Sequence, residues 1–175
     1  MQFLIDAFEA IRDFLELGGP VLRIIGVNIL ILWILILERL IYFRTGLRSL
    51  MRDALAEWES RPERKSWHAH QIRDGIISRV KIATDYNLPM IQTLVALCPL
   101  LGLMGTVTGM ISVFEVMAIS GTSNARSMAA GVSRATVPTM AGMVGALSGV
   151  FLVTILTRTA KRNTALLEDE LAMDH

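Results

Sequence analysis

The sequence has 175 residues, of which 53% are hydrophobic, and its formal net charge at pH 7 is +1. With a mean hydropathy of +0.50, this apolar content exceeds that of an average soluble domain and indicates a membrane protein. The near-neutral charge gives no basic field for nucleic acid, and the single cysteine, Cys98, excludes an intrachain disulfide framework.

The first segment predicted to cross a membrane covers residues 22–43. It follows an acidic N-terminal segment, residues 1–21, which we expect to lie outside and which lacks the positive start of a cleavable signal. The 22–43 segment is nearly unbroken in Ile, Leu and Val and is long enough for a hydrocarbon core of about 30 Å. It contains Asn28 and ends in interface-type residues such as Arg39 and Tyr42.

Residues 44–87 are polar and are predicted to form cytoplasmic amphipathic helices. Apolar residues recur at helical spacing on both sides of Pro62, and we expect the two stripes to pack on each other and on projecting helix ends. The stripes comprise Leu47, Leu50, Met51, Ala54, Leu55 and Trp58, and then Ile72, Ile76, Val80 and Ala83.

Two longer membrane helices are predicted over residues 88–118 and 128–158. An outside hairpin, residues 119–127, joins them, and a cytoplasmic C-terminal helix, residues 159–175, follows. A helix of about 30 residues measures about 45 Å, so both should extend beyond the bilayer into the cytoplasm. The predicted fold class is therefore all-α, a polytopic membrane protein with three transmembrane helices. No soluble catalytic domain is left over, so we do not expect an enzyme, a cofactor or a metal site.

The distribution of basic residues predicts the orientation. Lys and Arg are frequent in residues 44–87 and return after the third span, whereas the N-terminal segment and the hairpin contain one arginine each, Arg12 and Arg126. Because basic residues flank the cytoplasmic ends of spans, we expect a periplasmic N-terminus and a cytoplasmic C-terminus.

Small residues recur at spacings of three and four in the last two spans. Such spacing lets helix backbones approach closely inside lipid, so it predicts packing within and between subunits. The glycines concerned are Gly102, Gly105, Gly109, Gly142, Gly145 and Gly149. The GLMGTVTG run lacks the Lys-Ser/Thr ending of a phosphate loop and the strand before it, which excludes that interpretation.

Several hydroxyl side chains lie at membrane depth, and the simplest expectation is that each bonds a carbonyl of its own helix one turn back. They are Thr106, Thr108, Ser112, Ser133, Thr136, Thr139 and Ser148. Lipid penalises unpaired polar groups, so a hydroxyl that does not bond its own helix should face protein or a wet path.

Arg134 and Glu115 are the charged residues inside the last two spans. An arginine near a helix centre costs about 2.5–3.5 kcal/mol on insertion scales. Counting from the hairpin places the two side chains at comparable depth, which suggests a Glu115–Arg134 pair within or between subunits. The alternative is that both simply reach the outer interface, and the sequence leaves the two open.

The third span and the middle of the second contain no Asp, Glu or His. Proton movement through a membrane generally needs a titratable group there. If this protein moves protons, the carrying group must come from another chain, with Glu115 the one outside candidate.

The segment LCPLLGLMGTVTGM resembles the second-helix motif of the ExbB/TolQ/MotA family of proton-channel subunits. GVSRATVPTMAGMVGALSG is similar to the third-helix motif of that family, and the order of parts agrees along the chain, with the ExbB branch favoured. The resemblance implies a ring-shaped homo-pentamer in a bacterial inner membrane, in contact with lipid. Its central pore would hold helices of an ExbD-like partner, whose aspartate carries protons. Proton flow would drive a TonB-like protein that energises outer-membrane import of iron chelates.

Residue by residue, Thr106 and Thr139 fall on pore threonines of the family, so the resemblance implies that they bond the partner's carboxyl or a relaying water. Ser133 and Thr136 are further candidates for the pore lining. Arg134 stands where many ExbB proteins have a glutamate, so we expect it to attract the partner's aspartate or to fix subunit contacts. In its SRATVPTMAGM segment and its short length, the chain resembles ExbB proteins that also recruit an ExbB-like accessory protein.

Two other functions remain open at this point. A TolQ-like subunit that maintains envelope integrity would use the same mechanism. A passive membrane scaffold would use the glycine-bearing helices only to hold partners. A secondary transporter is disfavoured because three helices give no inverted repeat.

Overall fold

The computed structural model describes residues 18–61, 66–120 and 125–171, together with positions 9 and 12. Five helices cover nearly all of the three long ranges, and those ranges contain no strand. The helices are α1 (Gly19–Arg44), α2 (Gly46–Glu59), α3 (Trp67–Asp85), α4 (Leu88–Ser120) and α5 (Ala125–Glu170). Most of the predicted N-terminal segment and the middle of the predicted hairpin lie outside the described residues.

Three stretches of the chain are long and apolar enough to cross a membrane, and they contain α1 and nearly all of α4 and α5. The all-α, three-span fold class is therefore confirmed. The described part of the C-terminal segment predicted over residues 159–175 is continuous with α5, which runs to Glu170. No Gly or Pro follows Gly149 in α5, so nothing in this stretch interrupts the helix.

Local sequence explains where the helices begin. Gly19 has a φ of +66°, which glycine adopts without strain, and Pro20 occupies the first turn of α1, where a missing N–H is harmless. Ser66 caps α3 by accepting a hydrogen bond from the Ala69 amide at 3.3 Å. Asn87, at a φ of 64°, makes the turn between α3 and α4.

The chain divides into two compact units, and the first comprises residues 1–33 and 93–150. Within it, Leu22, Ile25 and Leu32 of α1 are buried at helical spacing. Asn28 belongs to the same stripe and donates hydrogen bonds of 3.1 Å to the Leu94 carbonyl and to the sulfur of Cys98. These bonds satisfy a polar side chain that would otherwise be unpaired, and they tie α1 to α4.

The second unit comprises residues 34–92 and 151–175. Here α2 packs against α3, and α2 buries Leu47, Ala54 and Trp58, all members of the predicted stripe. Ile76 and Val80 of α3 are buried in the same unit. Arg73 binds the end of α5, because its Nε donates to the Leu171 carbonyl at 2.8 Å and its Nη2 to the Glu168 carbonyl at 2.7 Å. The last carbonyls of a helix carry partial negative charge, so an arginine is a suitable cap.

Candidate functional site

The predicted functional residues lie where α4 and α5 pack together in the first unit. Gly109 faces Ala135 and Gly131 faces Val113, so residue numbers increase along one helix in the direction in which they decrease along the other. The two helices are therefore antiparallel. Near the hairpin the paired positions sum to 244 in both cases (109 + 135 and 131 + 113), which sets the register of α4 against α5 at that end.

The glycines of this interface stand where no side chain would fit. A Cβ at Gly142 would lie 2.5 Å from the Cys98 carbonyl oxygen, and one at Gly102 would lie 3.0 Å from the Cα of Thr139. At Gly109 it would lie 2.7 Å from the Cβ of Ala135. The obstructing atoms are backbone or the first side-chain carbon, so they cannot move without separating the helices.

The remaining predicted glycines meet side chains. A Cβ at Gly105 would overlap the ring of Pro138. One at Gly145 would lie 2.7 Å from the Ile29 side chain of α1, and one at Gly149 would lie 2.5 Å from a methyl of Val95. The glycine column thus brings α5 close to α1 as well as to α4.

Thr106 and Thr139 lie within about 3 Å of the same level of the α4/α5 pair, because each follows a residue of the Gly105–Pro138 contact and the antiparallel helices carry them about 1.5 Å in opposite directions. Both are half-buried. The Thr139 hydroxyl donates to the Gly102 carbonyl across the interface at 3.0 Å, and the Thr106 hydroxyl donates to the Leu103 carbonyl of its own helix at 2.7 Å. A hydroxyl has one proton, so each oxygen keeps lone pairs that can accept a further hydrogen bond.

Four other hydroxyls of the spans bond the preceding turn of their own helix. Thr108 donates to Met104 and Gly105, Ser112 to Thr108, Thr136 to Ser133, and Ser148 to Gly145, at 2.9–3.1 Å. Ser133 and Thr136 are exposed in the single chain. This pattern is the one expected of hydroxyls that satisfy themselves locally.

Glu115 and Arg134 are both exposed, and no ion pair joins them within the described chain. The α4/α5 register places Glu115 level with residue 129 (244 − 115), five residues from Arg134. Five residues correspond to about 7.5 Å along a helix axis. A pair within one chain is therefore not formed, and a pair between subunits stays a prediction.

Arg134 lines a cleft of about 540 Å³ in the first unit. The start of α1 forms one wall, from Gly18 to Val21, and Thr108 and Ser112 of α4 contribute hydroxyls. The cleft thus combines one cation with two hydroxyls whose protons are already used within α4.

Much of the surface of α4 and α5 within this unit is apolar and exposed. Examples on α4 are Leu103 and Ile111, and examples on α5 are Met140 and Leu147, all more than half exposed. Such area suits lipid or other copies of the chain rather than water.

Sequence reasoning did not identify two polar contacts that organise the molecule. The first is the Asn28–Cys98 contact, although an asparagine inside an apolar stripe was a usable signal. The second is the burial of Arg39, which is 2% exposed. Its position at the end of a span made it look like an ordinary interface residue.

The comparisons with known proteins agree with this architecture. Residues 43–169 match the MotA/TolQ/ExbB proton channel family. The chain belongs to that family. Like other members of this proton channel family, it is a multi-pass membrane protein, and its α4 and α5 lie wholly or largely inside the matched region.

Two relatives come from Synechocystis sp. The biopolymer transport protein ExbB-like 3 is 31% identical over 97 residues, covering 50% of this chain and 46% of the relative. The biopolymer transport protein ExbB-like 1 is 39% identical over 70 residues, covering 38% of this chain and 28% of the relative. The matches thus span less than half the length of either relative.

Proposed function

We propose that this chain is the channel subunit of an inner-membrane motor that uses the proton-motive force to drive a TonB-like protein, for import of iron chelates across an outer membrane. The observation that carries the proposal is the similar depth of Thr106 and Thr139 on two spans whose one acidic residue is the distant Glu115. Family membership supports the coarser role of a proton channel.

Several copies of the chain would form a ring, for which the family expectation is five. The exposed apolar faces of α4 and α5 supply the area that such contacts bury. The N-terminus would face the periplasm, because the basic residues concentrate between the first and second spans.

The proton carrier would be an aspartate on a single-span, ExbD-like partner inside the ring. Because the Thr106 and Thr139 protons are already donated to carbonyls, their oxygens would accept a hydrogen bond from that acid in its neutral form. This would favour the protonated acid beside the threonines and its ionised form elsewhere. One charge crossing 100 mV releases about 2.3 kcal/mol, so a few protons per event would supply useful work.

The test compares Thr106→Val with Thr106→Ser in cells grown on iron chelates under iron limitation. Valine keeps the shape and removes the oxygen, whereas serine keeps the oxygen. Thr106 bonds only its own helix among the described contacts, so neither change should disturb packing. Thr159→Val is the matched control, because it removes a similar own-helix hydrogen bond from α5.

We expect growth to fail with Thr106→Val and to persist with Thr106→Ser and Thr159→Val. Normal iron uptake with Thr106→Val would contradict the proposed proton path. An envelope defect without loss of iron uptake would favour the TolQ-like role. A partner whose behaviour does not change when a protonophore collapses the gradient would favour a passive scaffold.

A further inference from the structure

Arg39, at the end of the apolar part of α1, is almost fully buried in the second unit. Its Nη1 donates to the Ala83 carbonyl at 3.2 Å. Its guanidinium carbon lies 5.1 Å from the ring centre of Tyr42 and 5.2 Å from that of Tyr86. Contacts with two rings and one carbonyl hold the guanidinium in a fixed orientation.

The hydrogen bonds described for Arg39 do not satisfy it. A guanidinium has five N–H donors, and one of them is used. Among the described residues its buried Nε has no hydrogen-bond partner, and the nearest carboxylate oxygen, on Glu38, lies 3.6 Å away, beyond a good hydrogen bond. A buried cation is stable only when acceptors surround it, so this site lacks an acceptor.

A cleft of about 330 Å³ adjoins the guanidinium, and Arg79 of α3 also lines it. Arg79 lies 3.2 Å from a carboxylate oxygen of Glu57 and is 66% exposed. The two carboxylates near the arginines, on Glu38 and Glu57, belong to side chains that are 48% and 49% exposed. They can therefore rotate away, whereas Arg39 cannot.

The rim of the cleft is apolar. Ile82 and Tyr86 line it and are each 66% exposed, and Ile41 on the adjoining turn of α1 is 62% exposed. A ligand that fits must combine anionic oxygens with hydrocarbon. An acidic peptide fits less well, because its backbone groups would find few hydrogen-bond partners along this rim.

We propose that this cleft binds the phosphate of an anionic phospholipid at the membrane interface. Arg39 and Arg79 donate hydrogen bonds to the phosphate oxygens, as arginines do in other phosphate sites. The acyl chains lie along Ile41 and Ile82. The site is independent of the proton path, since it uses none of the residues assigned there.

The experiment uses the purified full-length chain, delipidated in detergent. Thermal stabilisation is titrated with phosphatidylglycerol, with phosphatidylcholine and with inorganic phosphate. Native mass spectrometry of the chain before delipidation identifies what it retains. The informative variant is Arg79→Gln, because its exposed side chain can be replaced without unfolding the protein. Lys81→Gln is the control, since it removes the same charge from an exposed position on α3 that does not line the cleft. Arg39→Lys keeps the charge but loses the planar fork.

We expect phosphatidylglycerol to stabilise the chain more than phosphatidylcholine does and free phosphate to have little effect. Arg79→Gln and Arg39→Lys should weaken the apparent phosphatidylglycerol affinity by about fivefold or more, and Lys81→Gln by less than about twofold. Equal losses in Arg79→Gln and Lys81→Gln would show diffuse attraction and overturn the proposal. Equal stabilisation by phosphatidylcholine or by free phosphate would also overturn it, as would a protein segment found in the cleft.

Discussion

The substitution Gly142→Ala tests the close approach of α4 and α5 most directly. The added Cβ would lie 2.5 Å from the Cys98 carbonyl oxygen, and 3.3 Å from both the Cys98 carbonyl carbon and the Cα of Gly102. All three are backbone atoms, so the strain is relieved only if the helices separate. Separation would also stretch the hydrogen bond from Thr139 to Gly102, which is 3.0 Å long.

The magnitude follows from three terms. Overpacking a well-packed interface costs about 1–3 kcal/mol, and alanine in place of glycine returns about 0.5–1 kcal/mol in a helix. Loss of the interhelical hydrogen bond adds about 0.6 kcal/mol, the average measured inside membranes. We therefore expect Gly142→Ala to lower the free energy of unfolding by about 0.6–3 kcal/mol.

The assay is thermal unfolding of the purified chain in detergent. For a chain of this size, each kcal/mol of lost stability lowers the melting temperature by about 2–4 °C. Gly26→Ala is the matched control, because Gly26 lies in α1 with no atom within 4 Å of the position of its Cβ. It should melt at or slightly above the unsubstituted protein. If Gly142→Ala melts like Gly26→Ala, the proposed interhelical contact is refuted.

Three further predictions concern other contacts of the described chain. Asn28→Leu keeps the side-chain size and removes the hydrogen bonds to the Leu94 carbonyl and to the Cys98 sulfur. The free energy of unfolding should therefore fall by about 0.5–1.5 kcal/mol. An unchanged melting temperature would show that these bonds contribute nothing. Arg73→Gln uncaps α5, and hydrogen exchange in its last turn should accelerate while the membrane part of α5 stays protected; uniform exchange along α5 would contradict this. Glu115→Gln should leave unfolding of the single chain unchanged but weaken the oligomer in detergent, if Glu115 pairs with Arg134 of another subunit; an unchanged oligomer argues against that pair.

The three-span fold was predictable because length and apolar content alone constrain membrane helices. The glycine spacing also predicted close helix packing. It could not show which helix each glycine meets, because Gly145 and Gly149 contact side chains of α1 or α4 that no local pattern connects to them.

The relative depth of Glu115 and Arg134 was harder to predict. Counting from the hairpin gave comparable depths, but a register centred on residue 122 places Glu115 seven residues from the centre and Arg134 twelve (half of 244, then 122 − 115 and 134 − 122). Side-chain packing across the interface fixes this register, and it is not encoded in either helix alone. Similarly, the burial of Arg39 depends on two tyrosines separated from each other by forty-four residues (86 − 42).

The hydration of Thr106 in the assembled membrane complex distinguishes a water-lined proton path from a dry helix interface. In a Cys98→Ser background, Thr106→Cys is exposed to a small water-soluble thiol reagent in native membranes, beside Leu30→Cys on the exposed apolar face of α1. A water-lined path predicts that the cysteine at position 106 reacts, and that the one at position 30, facing lipid, does not. Equal resistance of both cysteines to the reagent would contradict a water-lined path at Thr106.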